Sequence, residues 1–239
     1  MTIITELYKM IIAGGVVMIP LCIFSIIAAT LIIERLAFWI KIITDQPRLA
    51  QEVIKIYRSN LQVGDLEARL ISFLQKNRDL PIGRIFLSAF ELNEATPEEF
   101  KLALETAAQV ELPKFKKFNT MFETIITISP LLGLLGTILG LMQSFSSLKI
   151  GDIGSSNTLN VSAGISESLI STSAGLIVAI FALFFHHIFK GFYREQIGII
   201  QEYGGQLELI YMRRYSAKNP KYENNAGISL NGGMNRGDN

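Results

Sequence analysis

The stretch Gly164-Ile-Ser-Glu-Ser-Leu-Ile-Ser-Thr-Ser-Ala-Gly175 decides how the chain is read. It belongs to an interval, Ile153–Phe189, in which Glu167 is the only formally charged side chain, and from Leu176 to Phe185 every residue is apolar. A helix needs about 20 mostly apolar residues to cross a bilayer. A carboxyl group inside such a helix costs about 2.5–3.5 kcal/mol on insertion scales. Set among Ser166, Ser168, Ser171, Thr172 and Ser173, this carboxyl marks a polar path between helices. The competing reading is a residue near the headgroups that snorkels to water.

Outward from that stretch, the same segregation of charge recurs. The chain has 239 residues, 49% of them hydrophobic, with a mean hydropathy of +0.36 and a net charge of only +1. Met10–Ile33 carries no charge, Phe118–Leu148 only Glu123, and Ile153–Phe189 only Glu167. These segments predict an all-α integral membrane protein with three transmembrane helices, at 10–33, 118–147 and 163–189. The first is too long for the core of a cleaved signal peptide, and it ends in Glu34-Arg35 rather than a small-residue cleavage site. Lys and Arg set the orientation. Residues 34–117 hold 13 of the 22 and residues 190–239 hold 7, against Lys9 alone before the first span and Lys149 alone between the second and third. The positive-inside rule then places residues 1–9 and the 148–162 loop outside, in the periplasm, and 34–117 and 190–239 in the cytoplasm. The 12 acids of residues 34–117 argue against a nucleic-acid arm.

Span one contains Gly14-Gly15 and Pro20 and reads as a kinked helix, with Trp39 as an interfacial anchor. Cys22 falls mid-span and reads as a small apolar filler. Residues 34–117 read as a helical cytoplasmic domain. Pro47–Arg58, Asp65–Lys76 and Pro81–Leu92 are its short amphipathic pieces, with Leu66, Leu70, Phe73 and Leu74 on one stripe and a turn at Val63-Gly64-Asp65. Thr96-Pro97-Glu98-Glu99 is a helix start with Thr as N-cap and Pro at the first position. No comparable stop follows before about Ser146, so one helix is expected to run into span two, bent at Pro113 and Pro130.

In span two, Gly133, Gly136 and Gly140 crowd one side, with Thr137 beside them in line with Glu123, Pro130 and Ser144. Small residues of this kind let membrane helices approach closely. In span three, Ala163, Glu167, Ser171, Ala174 and Val178 share one face. Ser168, Thr172, Gly175 and Ala179 form the adjacent stripe, and Gly164 and Gly175 complete the set of packing glycines. The loop 148–162 includes a sequon at Asn160-Val161-Ser162. His186-His187 lacks the further ligands a zinc site needs and reads as interfacial packing. No metal or cofactor signature appears. A helix is expected over 190–215 and a disordered tail over 216–239.

Pro130-Leu-Leu-Gly-Leu-Leu-Gly-Thr137 with Gly140-Leu-Met-Gln-Ser-Phe145, then Gly164-Ile-Ser-Glu-Ser-Leu-Ile-Ser-Thr172 with Ala174-Gly-Leu176, resemble the ExbB/TolQ/MotA family of energy-transducing membrane proteins. The chain is similar to its three-span ExbB/TolQ branch, and Ile33-Glu-Arg-Leu36 also fits. The likeness covers nearly all of residues 10–195, though residues 45–95 match only in general character. It implies a homo-oligomeric, pentameric ring in the bacterial inner membrane. Its pore would hold two helices of an ExbD/TolR-like single-span partner that carries a membrane aspartate. Proton flow between that aspartate and the ring would drive a TonB- or TolA-like periplasmic protein, for outer-membrane transport or envelope maintenance. The family's pore-lining threonines fall on Thr137 and Thr172 and its third-span glutamate on Glu167, without departure.

Two other readings compete. A non-conducting membrane scaffold would explain the glycine faces but leave Glu167 and Thr172 without purpose. A membrane enzyme built on Glu167, Glu123 or His186-His187 lacks a nucleophile, base and orienting group brought together, so no catalytic residue is assigned. A carboxyl that can be neutralised favours protons over sodium as the driving ion.

Overall fold

The computed structural model describes residues 14–59, 63–92, 94–146 and 155–219, and the side chains of these except 63–65, 155–163 and 167. The expected periplasmic N-terminus, the first residues of span one, much of the external loop and the tail from 220 onward lie outside them. Every regular element among the described residues is a helix. In chain order these are α1 (Met18–Arg58), α2 (Val63–Lys76), α3 (Pro81–Phe90), α4 (Pro97–Phe115), α5 (Asn119–Ser146) and α6 (Ser155–Lys218). Among the described residues, three helical stretches are long and apolar enough to cross a membrane: Met18–Arg58, Pro97–Ser146 and Gly164–Lys218.

Several local expectations change. Gly15 has φ of 71° and α1 starts only at Met18, so Gly14-Gly15 precede the described helix instead of kinking it. Pro47 sits inside α1, which continues without a break to Arg58, where a separate cytoplasmic piece was expected. Val63–Asp65 open α2 and do not form a turn. The helix from Pro97 does not run on into span two: it ends at Phe115, two residues beyond Pro113, and Phe118 adopts φ of 70° before α5 begins. A proline removes one backbone donor and crowds the preceding turn, and here a left-handed residue completes the interruption. Pro130 lies within α5 without ending it. Residues 155–162, expected as loop, are the first turns of the 64-residue α6. Trp39 is 1% exposed, a buried residue and no free anchor.

The chain forms two compact units, Met1–Trp39 with Lys117–Gly191 and Ile40–Lys116 with Phe192–Asn239. In the second, Leu66, Leu70 and Leu74 of α2, Ile82, Ile85 and Phe86 of α3 and Leu207 of α6 are all essentially inaccessible. An aromatic chain crosses this core: Tyr57 meets Phe90 edge-on at 5.3 Å, Phe90 meets Phe100 at 5.2 Å, and Phe100 stacks on Tyr211 at 3.9 Å. The Thr96–Glu99 capping box forms as expected, Glu99 N–H donating to Thr96 Oγ1 at 3.3 Å and Thr96 N–H to the Glu99 carboxylate at 2.8 Å. Glu111 bridges Arg84 and Lys114, at 2.6 Å to each.

Candidate functional site

In the first unit, α5 and α6 pack antiparallel along a seam of small residues. A Cβ placed on Gly133 would lie 2.9 Å from Thr172 Cα, and one on Gly140 would lie 2.9 Å from the Gly164 carbonyl oxygen and 3.0 Å from Ser168 Cβ. At Gly136 it would collide with Ser171, at Gly164 with Ser144, and at Gly175 with the Ser129 carbonyl. The five packing glycines therefore all sit where the two backbones come too close for a side chain, the condition under which small residues drive helix association in lipid. Ser129, Ser144, Ser168 and Ser171 are buried on the same seam. Ser144, Ser168 and Ser171 lie on stripes the sequence pattern picks out, whereas Ser129 does not. Ser144, Ser168 and Ser171 return their hydroxyls to their own helix, at Gly140, Ile165 and Ser168 carbonyls.

Thr172 behaves differently. Its hydroxyl crosses the seam and donates to the Gly133 carbonyl oxygen at 2.9 Å. Thr137 donates to the Leu134 carbonyl within α5 at 2.6 Å. A threonine hydroxyl has one hydrogen and two lone pairs. With each hydrogen committed to a backbone carbonyl, both oxygens are left as acceptors.

At about 100° per residue, Thr137 and Thr172 each lie about 70° to one side of the seam's midline. Because the helices are antiparallel, equal offsets put both threonines on the same edge. The opposite edge is covered by α1 and the residues before it: Val17, Met18 and Leu21 pack against Leu132 of α5 and Ala174 of α6. On the threonine edge both helices carry exposed apolar side chains, Leu134 and Leu141 on α5 and Leu169 and Leu176 on α6. Position 167 is helical and one turn from both Gly164 and Ser171; its side chain is not among those described. Five residues turn a helix by about 140°, so 167 and 172 occupy different faces of α6.

The stripe Glu123–Pro130–Thr137–Ser144 drifts across α5, from exposed Glu123 through half-buried Thr137 to buried Ser144. A seven-residue spacing falls short of two full turns by about 20°. At the far end of the pair, Phe122 packs on His186 at 6.1 Å and on Phe189 at 5.8 Å. Arg35, just past the expected end of span one, is 3% exposed, paired with Glu34 at 3.0 Å, its guanidinium 5.0 Å from the rings of Phe38 and Phe118. Among the described residues no three His, Cys, Asp or Glu side chains gather as a metal site would require.

A sequence model of the MotA/TolQ/ExbB proton channel family matches residues 77–202, from before α3 into the second half of α6. The chain belongs to this family. It is 54% identical over 201 residues to an ExbB-like biopolymer transport protein of Synechocystis sp., covering 84% of this chain and 93% of that one. It is 33% identical over 136 residues to the biopolymer transport protein ExbB of Salmonella typhimurium, 56% of this chain and 52% of the relative. With the Tol-Pal system protein TolQ of Pseudomonas aeruginosa it shares 29% over 121 residues, 51% of this chain and 52% of that protein. Membership of the family together with three apolar helices makes this a multi-pass membrane protein of the ExbB/TolQ branch.

Proposed function

We propose that the chain is the ring subunit of an ion-driven motor in the bacterial inner membrane. In this reading, residues 34–117 and those after 190 face the cytoplasm, and five copies surround two helices of an ExbD/TolR-like partner. Proton flow past that partner's membrane aspartate energises a TonB- or TolA-type periplasmic protein. The higher identity to ExbB-like relatives supports biopolymer transport as the work done.

One observation carries the proposal: Thr137 and Thr172 occupy a single edge of a tightly packed helix pair, each with its hydrogen tied to a carbonyl and its oxygen left to accept. Acceptors in a low-dielectric path suit a protonated carboxyl or a water delivering a hydrogen, and they lower the cost of burying it. Burial disfavours the charged form of a carboxyl, so a partner aspartate beside these oxygens would travel neutral. Glu167 would offer a second exchange site from another face of α6. A fivefold ring around two helices cannot satisfy every contact at once, which favours stepping over locking.

The test is proton-gradient-dependent work in cells carrying Glu167→Gln, Thr137→Val or Thr172→Val, with protein abundance measured alongside. Loss of work at normal abundance is the expected result. Full activity in all three would leave the glycine seam as assembly alone, which is the scaffold reading.

A further inference from the structure

The threonine edge does not end at the threonines. Glu123 lies 14 residues before Thr137 on α5, and His186 lies 14 residues after Thr172 on α6. Since the helices run antiparallel, both displacements lead to the same end of the pair, about 21 Å along it. There the two elements are in contact through Phe122, whose ring is 6.1 Å from that of His186, and His187 follows at 6.0 Å from His186. Glu123 and His187 are exposed and His186 half-buried. The charged or titratable groups within electrostatic reach of His186 are Glu123 on α5 and His187 and Lys190 on α6. The Phe122–His186 contact thus sets Glu123, the next residue of α5, at the same end of the pair as the two imidazoles, toward Lys190. Between the two clusters the threonine edge carries exposed Thr127 together with exposed Leu134, Leu176 and Leu183.

We infer that Glu123, His186 and His187 form a proton-release group at the cytoplasmic mouth of the path, an inference that rests on the conducting role proposed above. A bare apolar mouth would oblige each proton to leave as hydronium. Imidazole titrates closer to neutrality than any other unperturbed side chain, so it can both take and return a proton there. A water in the path gives its extra proton to a neutral imidazole nitrogen, forming imidazolium beside the Glu123 carboxylate. The imidazolium then gives the same proton to a cytoplasmic water or buffer base, and the neutral ring is restored. The phenyl ring of Phe122 holds His186 at the helix junction and takes no part in the transfer.

The experiment uses the full chain assembled with its ExbD/TolR-like partner in liposomes containing a pH-sensitive dye, with imidazole as the mobile buffer on the cytoplasmic face. The variants are Glu123→Gln, His187→Gln and His186→Phe, the last keeping a ring against Phe122, and Thr172→Val is measured in parallel. In weak buffer, the His186→Phe/His187→Gln double variant should lower proton flux about a hundredfold, the low end of the range for a lost acid–base group. Concentrated imidazole should restore it, while Thr172→Val stays low in both buffers. Unchanged flux in weak buffer overturns the inference, and so does a loss that imidazole fails to repair, since that is the mark of damaged packing. If wild type and Thr172→Val conduct alike, the conducting role itself falls and this inference falls with it.

Discussion

Gln46 and Gln196, 150 residues apart in sequence, meet as side-chain amides at 2.7 Å in the interior of the second unit, both fully buried. The Gln46 oxygen also accepts the backbone N–H of Ile82 at 3.0 Å. That N–H is in the first turn of α3, whose N-cap residue, Leu80, supplies no side-chain cap. One glutamine on α1 therefore caps α3 and ties it to α6. Gln46→Leu leaves a buried N–H and a buried amide without partners, at about 1–3 kcal/mol each. Thermal unfolding in detergent should show a clear drop in Tm. Gln196→Met should cost less, because Ile82 keeps its acceptor.

The glycines divide into two groups with opposite expected behaviour. Gly133→Ala forces a methyl to within 2.9 Å of the Thr172 backbone, whereas around Gly198 nothing lies within 4 Å of the added carbon. Gly133→Ala should reduce the yield of folded, assembled protein. Gly198→Ala should stabilise α6 by up to about 1 kcal/mol through helix propensity. Parallel measurements of membrane abundance and Tm would separate the two.

Thr172 allows a graded series. Thr172→Ser retains the hydrogen bond to Gly133 and the acceptor oxygen; Thr172→Val keeps the shape and loses both. Interhelical bonds of this kind contribute about 0.6 kcal/mol on average in a membrane. Thr172→Val should thus change stability little while proton-driven work falls steeply, and Thr172→Ser should retain most of that work. A large stability loss in Thr172→Val, repaired in parallel with activity by Thr172→Ser, would instead make the hydroxyl a packing element.

Glu111 gives the second unit an acid-sensitive point. Burial opposes its charged form, but hydrogen bonds from Arg84 and Lys114 and their positive charges outweigh this and hold its carboxyl below the ordinary 4.5. A group whose folded pKa is depressed stabilises the fold above its unfolded pKa and loses that contribution as pH falls through the folded one. Unfolding measured from pH 6 down to pH 3 should show an acid-side loss of stability, beginning below about 4.5, that is smaller in Glu111→Gln.

Much of this arrangement is legible before any coordinates. Runs of 24 residues or more with at most one charge have few structural options, and Gly133, Gly136 and Gly140 recur at helical spacing, so the spans and the close-packed seam follow from composition and period. Thr96 and Glu99 announce a cap because both partners are local. The break after Phe115 was not legible: a proline can bend a helix or end it, and the left-handed Phe118 carries no residue-type signal. Pro47 shows the converse, a helix passing through. The buried state of Arg35 and the Gln46–Gln196 clamp depend on segments far along the chain, beyond the reach of a local pattern. The seam serines were visible as residues, but which stripe of α6 would meet α5 was fixed only when Gly136 found Ser171.

The long reach of that glutamine clamp bears on how the protein is made. A ribosome releases α1 through α4 well before it synthesises Gln196, Leu207 or Tyr211, so the second unit's interior waits unfinished while two further spans are threaded into the bilayer. Closure of non-local contacts is slow, and until α6 arrives the Gln46 amide and the face of Phe100 stand open. Insertion of the last span and completion of the second unit's core are thereby one event, and a nascent chain stalled before Phe192 would present quality-control proteases with an unsealed surface.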